Sequence, residues 1–396
     1  MIYLAILFLL IILAIRYDVQ GKTKYRDEWY TSILLLLILL AGLRWRFAVD
    51  TIRYMHAFYY ETPQIWDLTV EGFLRSGKPP LWILLNSVVK TLGGKFFVVQ
   101  LIQATIVDTL FFKYFKKHSP YPFACVVLFF FWRYQYFNML IMKAAAALSI
   151  IMFANDYLLE KKYKKWFLLI IIATGFHQSS ILMLITPFML FLRLNRLGVV
   201  LLGFTYFVGM LLQSKLGDFF EMLEFAEGLS NRLEGHIESG DMAQTQNNIN
   251  YYIFGIFPLL FYVVLSFMYV KLKCKNAKLL QFEPFLMMGF VMQLVQLNIH
   301  IFYRFTYIYH VYYIIFLVHL FMEYSRSSFR LSKALAYTRT FAVMLPFVVS
   351  LYNSNKLFTE LNYNPYCTVI DRGIGVERER YYKTVDDLPK FNKNEY

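Results

Sequence analysis

Apolar segments recur along almost the whole chain, and short polar stretches separate them. About twelve can be recognised: roughly residues 2–15, 30–43, 79–89, 96–112, 121–137, 139–159, 166–192, 197–213, 251–270, 282–299, 302–322 and 335–352. A helix needs about 20 apolar residues to cross a bilayer, with a range near 17–25. Several segments reach that length and some are shorter. The sequence therefore predicts an all-α, polytopic membrane protein with roughly 10–13 transmembrane helices.

Composition and charge agree with a membrane protein. The chain is 58% hydrophobic and 17% charged, whereas a soluble domain has about 25% charged residues. Its net charge of +14 could indicate nucleic-acid binding. The basic residues, however, lie in short clusters between apolar runs, which is typical of cytoplasmic loops, so we expect no nucleic-acid partner. The apolar start of the chain predicts a retained first helix rather than a signal peptide.

The basic clusters predict the orientation of the chain. Six of them alternate with the apolar segments: Arg16 to Arg26, Lys113 to Lys117, Lys161 to Lys165, Arg193 with Arg196, Lys271 to Lys278, and Arg326 to Lys333. The positive-inside rule places them in the cytoplasm. We therefore expect residues 1–352 to form one polytopic membrane domain with outer loops at about 44–95 and 214–250. Residues 353–396 would form an extracytoplasmic or interfacial tail.

Two segments need special treatment, because the chain must cross the membrane an even number of times between two cytoplasmic basic clusters. Segment 79–89 is short and is predicted to be re-entrant or interfacial. Segment 166–192 should cross twice and be broken at Gly175–Ser180, or else be one tilted helix, since 27 residues at about 1.5 Å each span about 40 Å. Non-helical backbone at membrane depth is tolerated only where protein or a water-filled cavity covers it. His177 lies at this break, and a hydrogen-bonded core histidine is the simpler interpretation of it.

Several ionisable residues lie in or beside the apolar runs: Arg44, Asp50, Arg53, Lys143, His177 and Arg304. A charge at membrane depth costs roughly 2.5–3.5 kcal/mol on insertion scales, so such residues usually face a cavity or a substrate path. The predicted topology places all six on the outer side. This arrangement predicts a polar, cationic site for an anionic, lipid-linked substrate.

Most of these residues also have simpler interpretations. Arg44 and its neighbour Arg46 could be snorkelling anchors at a helix end. Asp50 could cap the next helix, or pair with Arg53 three residues later. Lys143 could also only snorkel, although the alanines after it suit close helix packing. His, Cys, Asp and Glu show no metal-ligand spacing, and Cys125, Cys274 and Cys367 are scattered, so we expect no metal and no other cofactor.

A set of short motifs occurs in order along the chain: Arg44 followed by Asp50 and Tyr54, Lys78–Asn86, Met142–Ala147, Phe176–Ile181, Tyr303–Tyr307 and Asn364–Tyr366. Together they resemble elements of the EpsG-like, Wzy-type polysaccharide repeat-unit polymerases. The Phe-His-Gln-Ser-Ser-Ile segment is the most specific of them. The resemblance covers roughly residues 30–366, and such polymerases resemble the all-helical GT-C glycosyltransferases in layout, which is an analogy of fold.

Four positions depart from the family pattern, one of them Pro80, which stands where the family has a glycine. Ala48 replaces the glycine that usually stands two residues before the aspartate. Lys143 replaces an arginine, which keeps a charge but loses the planar fork that grips phosphate. Lys78 stands where the family has a glutamate. If that acid were the catalytic base, this chain would be a divergent enzyme, and Glu71 is a candidate shifted equivalent.

The resemblance implies glycosyl transfer at the outer face of the bacterial inner membrane. A glycan on polyprenyl diphosphate would pass to a hydroxyl of another lipid-linked repeat unit. The departing diphosphate needs fixed cations, and the acceptor hydroxyl needs a proton acceptor. The candidate cations are Arg44, Arg53, Lys143 and Arg304. Asp50 is the leading candidate for the proton acceptor, and His177 is the second. Tyr54 and Tyr307 are the candidates for stacking on the sugar. The implied partners are the lipid-linked oligosaccharide, membrane lipid and a chain-length regulator.

Two other function classes stay open at this point. A multi-span O-acyltransferase would use His177 as the base on a hydroxyl, with an acyl donor from the cytoplasm. A flippase for lipid-linked oligosaccharide would line a passage with the same cations.

Overall fold

The computed structural model describes residues 2–72, 77–193, 195, 197–198, 200–205, 208, 281–298, 303–328 and 366–371. The α-helices that we number in these ranges are α1 (Ile2–Ala14), α2 (Arg26–Gly42), α3 (Val49–His56), α4 (Pro80–Thr91), α5 (Phe96–His118), α6 (Pro122–Phe129), α7 (Met142–Leu159), α8 (Tyr163–Phe176), α9 (Glu283–Asn298), α10 (Tyr303–Thr306) and α11 (His310–Ser328). Single π-helical turns extend α1 and α3, two π-helical turns extend α6, and a 3₁₀-helix, Gln178–Met189, follows α8. No β-strand occurs in these ranges.

Three helices within the described residues are long and apolar enough to cross a membrane: Ile2–Val19, Phe96–His118 and Met142–Leu159. The first has a mean hydropathy of 2.3. The protein is therefore all-α and of membrane type, as predicted. The predicted apolar segments 251–270 and 335–352, and the loop 214–250, lie outside the described residues.

The chain divides into two compact units. Unit 1 comprises Met1–Leu184 and Leu351–Tyr396, and unit 2 comprises Ile185–Ser350. In unit 1, α2 and α5 pack antiparallel. Near the start of α2, Tyr30 donates a hydrogen bond to the Phe112 carbonyl at 2.9 Å. At its end, a Cβ on Gly42 would come within 2.9 Å of the Leu101 backbone, so only glycine allows this close approach.

Helix α7 packs parallel to α5. At one end, Gln103 donates a hydrogen bond to the Met142 carbonyl at 3.5 Å. At the other end, the buried carboxylate of Asp156 accepts hydrogen bonds from three side chains of α5: Tyr114 at 3.1 Å, Lys117 at 2.7 Å and His118 at 2.8 Å. These two contacts fix which ends of the helices lie together, and therefore which charged residues are neighbours.

The end of α6 differs from the sequence-based expectation. The sequence predicted separate segments at 121–137 and 139–159, whereas helical turns continue across that boundary, from Phe130 to Leu140, and the chain leaves the helix at Ile141. The reason lies in Asn138, which is fully buried and donates a hydrogen bond to Asp108 at 2.8 Å. A polar group at this depth must be satisfied inside the protein, and the wider π turns keep it there.

The predicted break in segment 166–192 is confirmed. Helix α8 ends at Phe176, His177 has extended backbone (φ −150°, ψ 112°), and the 3₁₀-helix begins at Gln178. Two residues before His177, a Cβ on Gly175 would lie 2.6 Å from the Leu81 side chain. The close packing of α8 on α4 therefore positions the break.

The described part of unit 2 is built on α9 and α11. Aromatic rings stack between these helices, with the Phe285 and Tyr312 centroids 4.8 Å apart. The Tyr313 hydroxyl lies where a Cβ on Gly289 would be, so the glycine makes room for it. In the same unit, Arg193 forms an ion pair with Glu283 at 3.9 Å.

Candidate functional site

A hydrophobic cluster in unit 1 joins the elements that carry most of the sequence-predicted site residues. Its buried members come from α3, the π turn after α3, α4, α5 and α7: Met55, Phe58, Trp82, Val89, Phe96, Val99 and Met142. Tyr54, Trp45 and Phe176 pack against it. Because Met142 precedes Lys143 and Phe176 precedes His177, this cluster brings Tyr54, Lys143 and His177 to the same end of unit 1.

Arg44 lies just beyond the end of α2 and is fully buried. Its guanidinium donates hydrogen bonds to the Ala41 carbonyl and, at 3.1 Å, to the Met142 sulfur. It also interacts electrostatically with Asp108. A buried charged group needs hydrogen-bond partners in the surrounding structure. Here the end of α2 and the start of α7 supply them.

A short piece of the tail closes over Arg44. Residues 366–371 pair with the backbone after α2, with Arg44 opposite Thr368 in an antiparallel bridge. Trp45 donates its N–H to the Cys367 carbonyl at 2.9 Å, and Val369 donates its N–H to the Leu43 carbonyl at 2.9 Å. The Arg44 segment therefore has its backbone hydrogen bonds satisfied by a segment more than 300 residues later in the chain.

The backbone between α2 and α3 takes two uncommon conformations. Arg46 has φ 48° and Ala48 has φ 61° with ψ 149°. The second conformation is essentially restricted to glycine. This backbone conformation explains why the family has a glycine two residues before the aspartate. In this chain, Ala48 adopts the same conformation at a cost in strain.

Arg44 faces a pocket of about 210 Å³, which we call the cationic pocket. Its lining residues are Arg44, Trp45, Arg46, Met55, Tyr59, Lys95, Phe96, Phe97, Gln100 and Val369. Among these lining residues three are basic and none is acidic. Aromatic rings contribute to the walls of the pocket, and a low local dielectric strengthens the attraction of fixed cations for an anion. The pocket is suited to a phosphate-sized anion.

A second pocket of about 300 Å³ lies in the loop between α3 and α4, and we call it the loop pocket. It is lined by Glu61, Thr62, Pro63, Asp67, Leu68, Thr69, Gly72, Lys78 and Ile83. Glu61 and Lys78 form an ion pair, and His56 lies 3.5 Å from the same carboxylate. The nearby ammonium donates a hydrogen bond to Glu61 and holds the pKa of its carboxyl below the usual value.

The other predicted residues of unit 1 lie beside these pockets but do not line them. Asp50 and Arg53 form an ion pair at 3.8 Å on α3, and both are more than one third exposed. Helix α3 begins at Val49, and its N-cap residue is Ala48, whose side chain makes no capping hydrogen bond. Lys143 lies over the ring of Tyr54, 5.0 Å from its centroid. The predicted pairing of Asp50 with Arg53 is therefore present.

His177 lies at the break after α8, next to the loop pocket. The following residue, Gln178, donates a hydrogen bond to the Gly77 carbonyl at 3.0 Å, directly before Lys78. The break is therefore attached to the start of the Lys78–Asn86 motif. Within the described ranges, no group of three His, Cys, Asp or Glu residues has the arrangement of a metal site.

The last two predicted residues belong to unit 2. Arg304 lies in α10, and its side chain is outside the described part of the structure. Tyr307 begins the 3₁₀ turn after α10 and is half-buried, with its ring 5.4 Å from that of His310. Arg44 belongs to unit 1, so each unit's candidate residues are described separately.

The charged residues of unit 1 segregate to its two ends. Lys116 pairs with Asp27 at 2.7 Å, and Lys117 pairs with Asp156 at 2.7 Å. These contacts gather the clusters near Arg26, Lys113 to Lys117 and Lys161 to Lys165 at one end. The cationic pocket lies at the opposite end, where α2 stops and α5 and α7 begin. This separation is what the predicted topology requires of a site on one face of a membrane.

The match to a family of known proteins agrees with these motifs. A model of the EpsG family matches residues 28–368. The chain belongs to the EpsG family. Membership suggests a polysaccharide polymerase-type function. No curated protein and no solved structure matches the chain.

Sequence reasoning missed several polar residues of this EpsG-family chain. Arg46 was considered only as a snorkelling anchor, and Lys95, which follows two glycines, carried no signal of its own. Asp108 lay inside an apolar run, and an acid at such a depth is by default a candidate functional residue. Glu61 could be found only in three dimensions, because Lys78 is 17 residues away.

Proposed function

We propose that this protein joins lipid-linked oligosaccharide repeat units into a surface or secreted polysaccharide. It would act by glycosyl transfer from polyprenyl diphosphate, at the outer face of the bacterial inner membrane. The observation that carries the proposal is the cationic pocket, where a buried arginine and two further cations line one cavity in a member of the EpsG family.

The reaction breaks the bond between the sugar C1 and the diphosphate oxygen and forms a bond from C1 to an acceptor hydroxyl oxygen. Negative charge grows on the departing diphosphate, and preorganised cations stabilise that charge most effectively. Arg44, Arg46 and Lys95 supply three positive charges to the cationic pocket. Arg53, Lys143 and Arg304 remain the further cations that the sequence predicts for the departing diphosphate.

The acceptor hydroxyl loses its proton as the new bond forms. Asp50 is the leading proton acceptor, and its ion pair with Arg53 holds it at the start of α3. His177 is the second candidate, and an imidazole suits proton transfer near neutral pH. Tyr54 and Tyr307 are the candidate residues for contact with the sugar units. The carrier lipid would remain in the bilayer beside the helices.

The test is to reconstitute the purified full-length chain in liposomes with polyprenyl-diphosphate-linked repeat units. A ladder of products, each longer by one repeat, is expected. Release of the free lipid diphosphate should match the number of bonds formed. Movement of the substrate across the bilayer without any ladder would favour a flippase. Transfer of an acyl group to intact glycan would favour an O-acyltransferase. Either result would overturn the proposal.

Deleting the gene gives a second, independent test in cells. A strain without the polymerase should display only single-repeat-unit glycan on a gel. Absence of all surface glycan would instead indicate a flippase, and full-length glycan without acyl groups would indicate an acyltransferase. Labelling of a cysteine introduced at position 177 would show which side of the membrane this position faces. The proposal requires that it be accessible from outside.

A further inference from the structure

The loop pocket differs from the cationic pocket in the chemistry of its walls. Two carboxylates, Glu61 and Asp67, two hydroxyls, Thr62 and Thr69, and one ammonium, Lys78, line it. Its volume of about 300 Å³ is at the lower end of small-molecule sites, which measure about 300–1,000 Å³. Among the described lining residues the acids outnumber the bases, so the pocket disfavours a diphosphate.

The walls of the loop pocket are held in place by α4. Lys90 donates hydrogen bonds to the carbonyls of Tyr59 at 2.9 Å and Thr62 at 2.6 Å. Thr91 accepts the N–H of Ile65 at 2.9 Å. These bonds satisfy the backbone of a loop that has little regular structure, and they keep the pocket in shape. A preorganised pocket binds its ligand with a smaller entropy cost.

Exposed aromatic side chains lie next to the polar walls. Trp66 is 68% exposed and precedes Asp67, and Tyr60 is 55% exposed and precedes Glu61. A large aromatic face at the surface is costly to leave in water and is enriched where ligands bind. Sugar rings combine apolar C–H faces with many hydroxyls. Aromatic faces beside carboxylates and hydroxyls match that combination.

We propose that the loop pocket binds the acceptor glycan, a hydroxyl-rich oligosaccharide, and orients its attacking hydroxyl toward the cationic pocket. The inference rests on the proposed function. The two pockets adjoin along the chain, since Tyr59 lines the cationic pocket and Glu61 lines the loop pocket. Carboxylates and threonine hydroxyls hold sugar hydroxyls, and Trp66 stacks on a ring. The His177 break, attached at Gly77, lies on the same side.

The test measures binding of the two halves of the substrate separately. The first probe is the repeat-unit oligosaccharide released from its lipid by mild acid, so that it has no phosphate. The second probe is inorganic diphosphate. Both are titrated against the full-length protein in nanodiscs. Glu61→Gln, Asp67→Asn and Trp66→Ala should each weaken oligosaccharide binding about 10-fold and leave diphosphate binding unchanged.

The chain offers matched controls. Glu160 forms an exposed ion pair with Lys162 at 2.6 Å, which resembles the Glu61–Lys78 pair but lies at the opposite end of unit 1. Trp29 is also exposed, at 40%, near the start of α2. Glu160→Gln and Trp29→Ala should bind both probes as the wild type does. Diphosphate binding by each loop-pocket variant shows that it has folded.

The outcomes separate this inference from the proposed function. Wild-type oligosaccharide binding in all three loop-pocket variants would overturn the inference, even if the protein polymerises normally. Failure of the wild type to polymerise, with oligosaccharide binding still lost in the variants, would overturn the proposed reaction and leave a glycan site in the loop pocket. In polymerisation assays, the variants should raise the acceptor KM about 10-fold and leave the donor KM unchanged.

Discussion

The two pockets of unit 1 lie on either side of one short segment and have opposite electrostatic character. Three basic residues line the cationic pocket, whereas the loop pocket has two carboxylates and one ammonium. Tyr59 lines the cationic pocket and Glu61 lines the loop pocket, and both residues belong to the π turn that ends α3. A single turn of chain therefore divides the cationic pocket from the loop pocket. The proposed reaction needs such a division, because its donor and its acceptor must not exchange places.

Arg44→Ala should have the largest effect on this comparison. Removing a fixed donor from a site of developing charge costs about 10²–10³ in kcat, so polymer ladders should disappear while oligosaccharide binding persists. Arg44→Lys, which keeps the charge without the fork, should retain part of the activity. The sequence predicts the same loss for Arg304→Ala. Arg133, which lies over the Trp132 ring at 4.6 Å, supplies the control Arg133→Ala. A normal ladder from Arg44→Ala would remove that residue from the site.

Arg46→Ala and Lys95→Ala should sharpen the comparison by acting on the donor alone. A hydrogen bond to a charged group contributes about 1.5–3 kcal/mol, so each variant should raise the donor KM at least about 10-fold. The acceptor KM should not change. Lys116 is an exposed lysine at the other end of α5, and Lys116→Ala is the matched control. Equal changes in both KM values would mean that the cationic pocket does not discriminate between the substrates.

Asp156→Asn should separate stability from binding. The buried carboxylate accepts three hydrogen bonds at the end of unit 1 opposite the pockets, so its loss should lower the free energy of unfolding by about 1–3 kcal/mol. Both KM values should stay as in the wild type. Asp27→Asn, which loses only an exposed pair, should cost less than about 1 kcal/mol. Thermal unfolding in detergent measures both. A changed donor KM in Asp156→Asn would instead show that the two ends of unit 1 are energetically coupled.

Ala48→Gly should stabilise the segment that carries Arg44. Ala48 has a glycine-like backbone, and such strain costs on the order of 1–3 kcal/mol. Glycine loses about 0.5–1 kcal/mol more entropy on folding, so a net gain of roughly 1 kcal/mol is expected in thermal unfolding. Ala41→Gly, within helix α2, is the opposite control and should cost about 1 kcal/mol. Equal losses from both variants would show that position 48 is not strained.

The smallest effect concerns pH and the loop pocket. Lys78 holds the pKa of Glu61 below its usual value of 4.5. A carboxyl whose pKa is lowered by folding adds stability above its unfolded pKa and loses that stability as the pH falls through the folded value. Glu61→Gln should therefore cost a few tenths of a kcal/mol at pH 7, as exposed pairs do, and nothing well below pH 4.5. A cost that is constant from pH 7 to 3 would rule out the ion pair as its cause.

Some features of this site follow from local sequence. Arg44 was recognisable because a cation directly after an apolar run is costly at membrane depth. The break at His177 was recognisable because basic clusters flank segment 166–192 on both sides. The end-to-end separation of charge in unit 1 follows from the same clusters. Each of these inferences needs only neighbouring residues and the presence of a bilayer.

Other features depend on contacts that no local pattern encodes. Lys95 joins Arg44 only because α2 and α5 approach closely at Gly42. Lys78 stands where the family has a glutamate. It forms an ion pair with Glu61 across a loop, so an acid still lies next to that position. The π turns before Ile141 depend on the buried Asn138–Asp108 hydrogen bond. Such arrangements arise from packing between elements, which overrides local preference.

The backbone pairing of Thr368 with Arg44 has a consequence for synthesis of the protein. Val369 forms part of the pocket wall, so a nascent chain that still lacks residue 369 has its arginine without a cover. The ribosome must therefore deliver residue 369 before the cationic pocket is complete. Premature termination upstream of it would leave a membrane-inserted chain whose pocket lacks one wall.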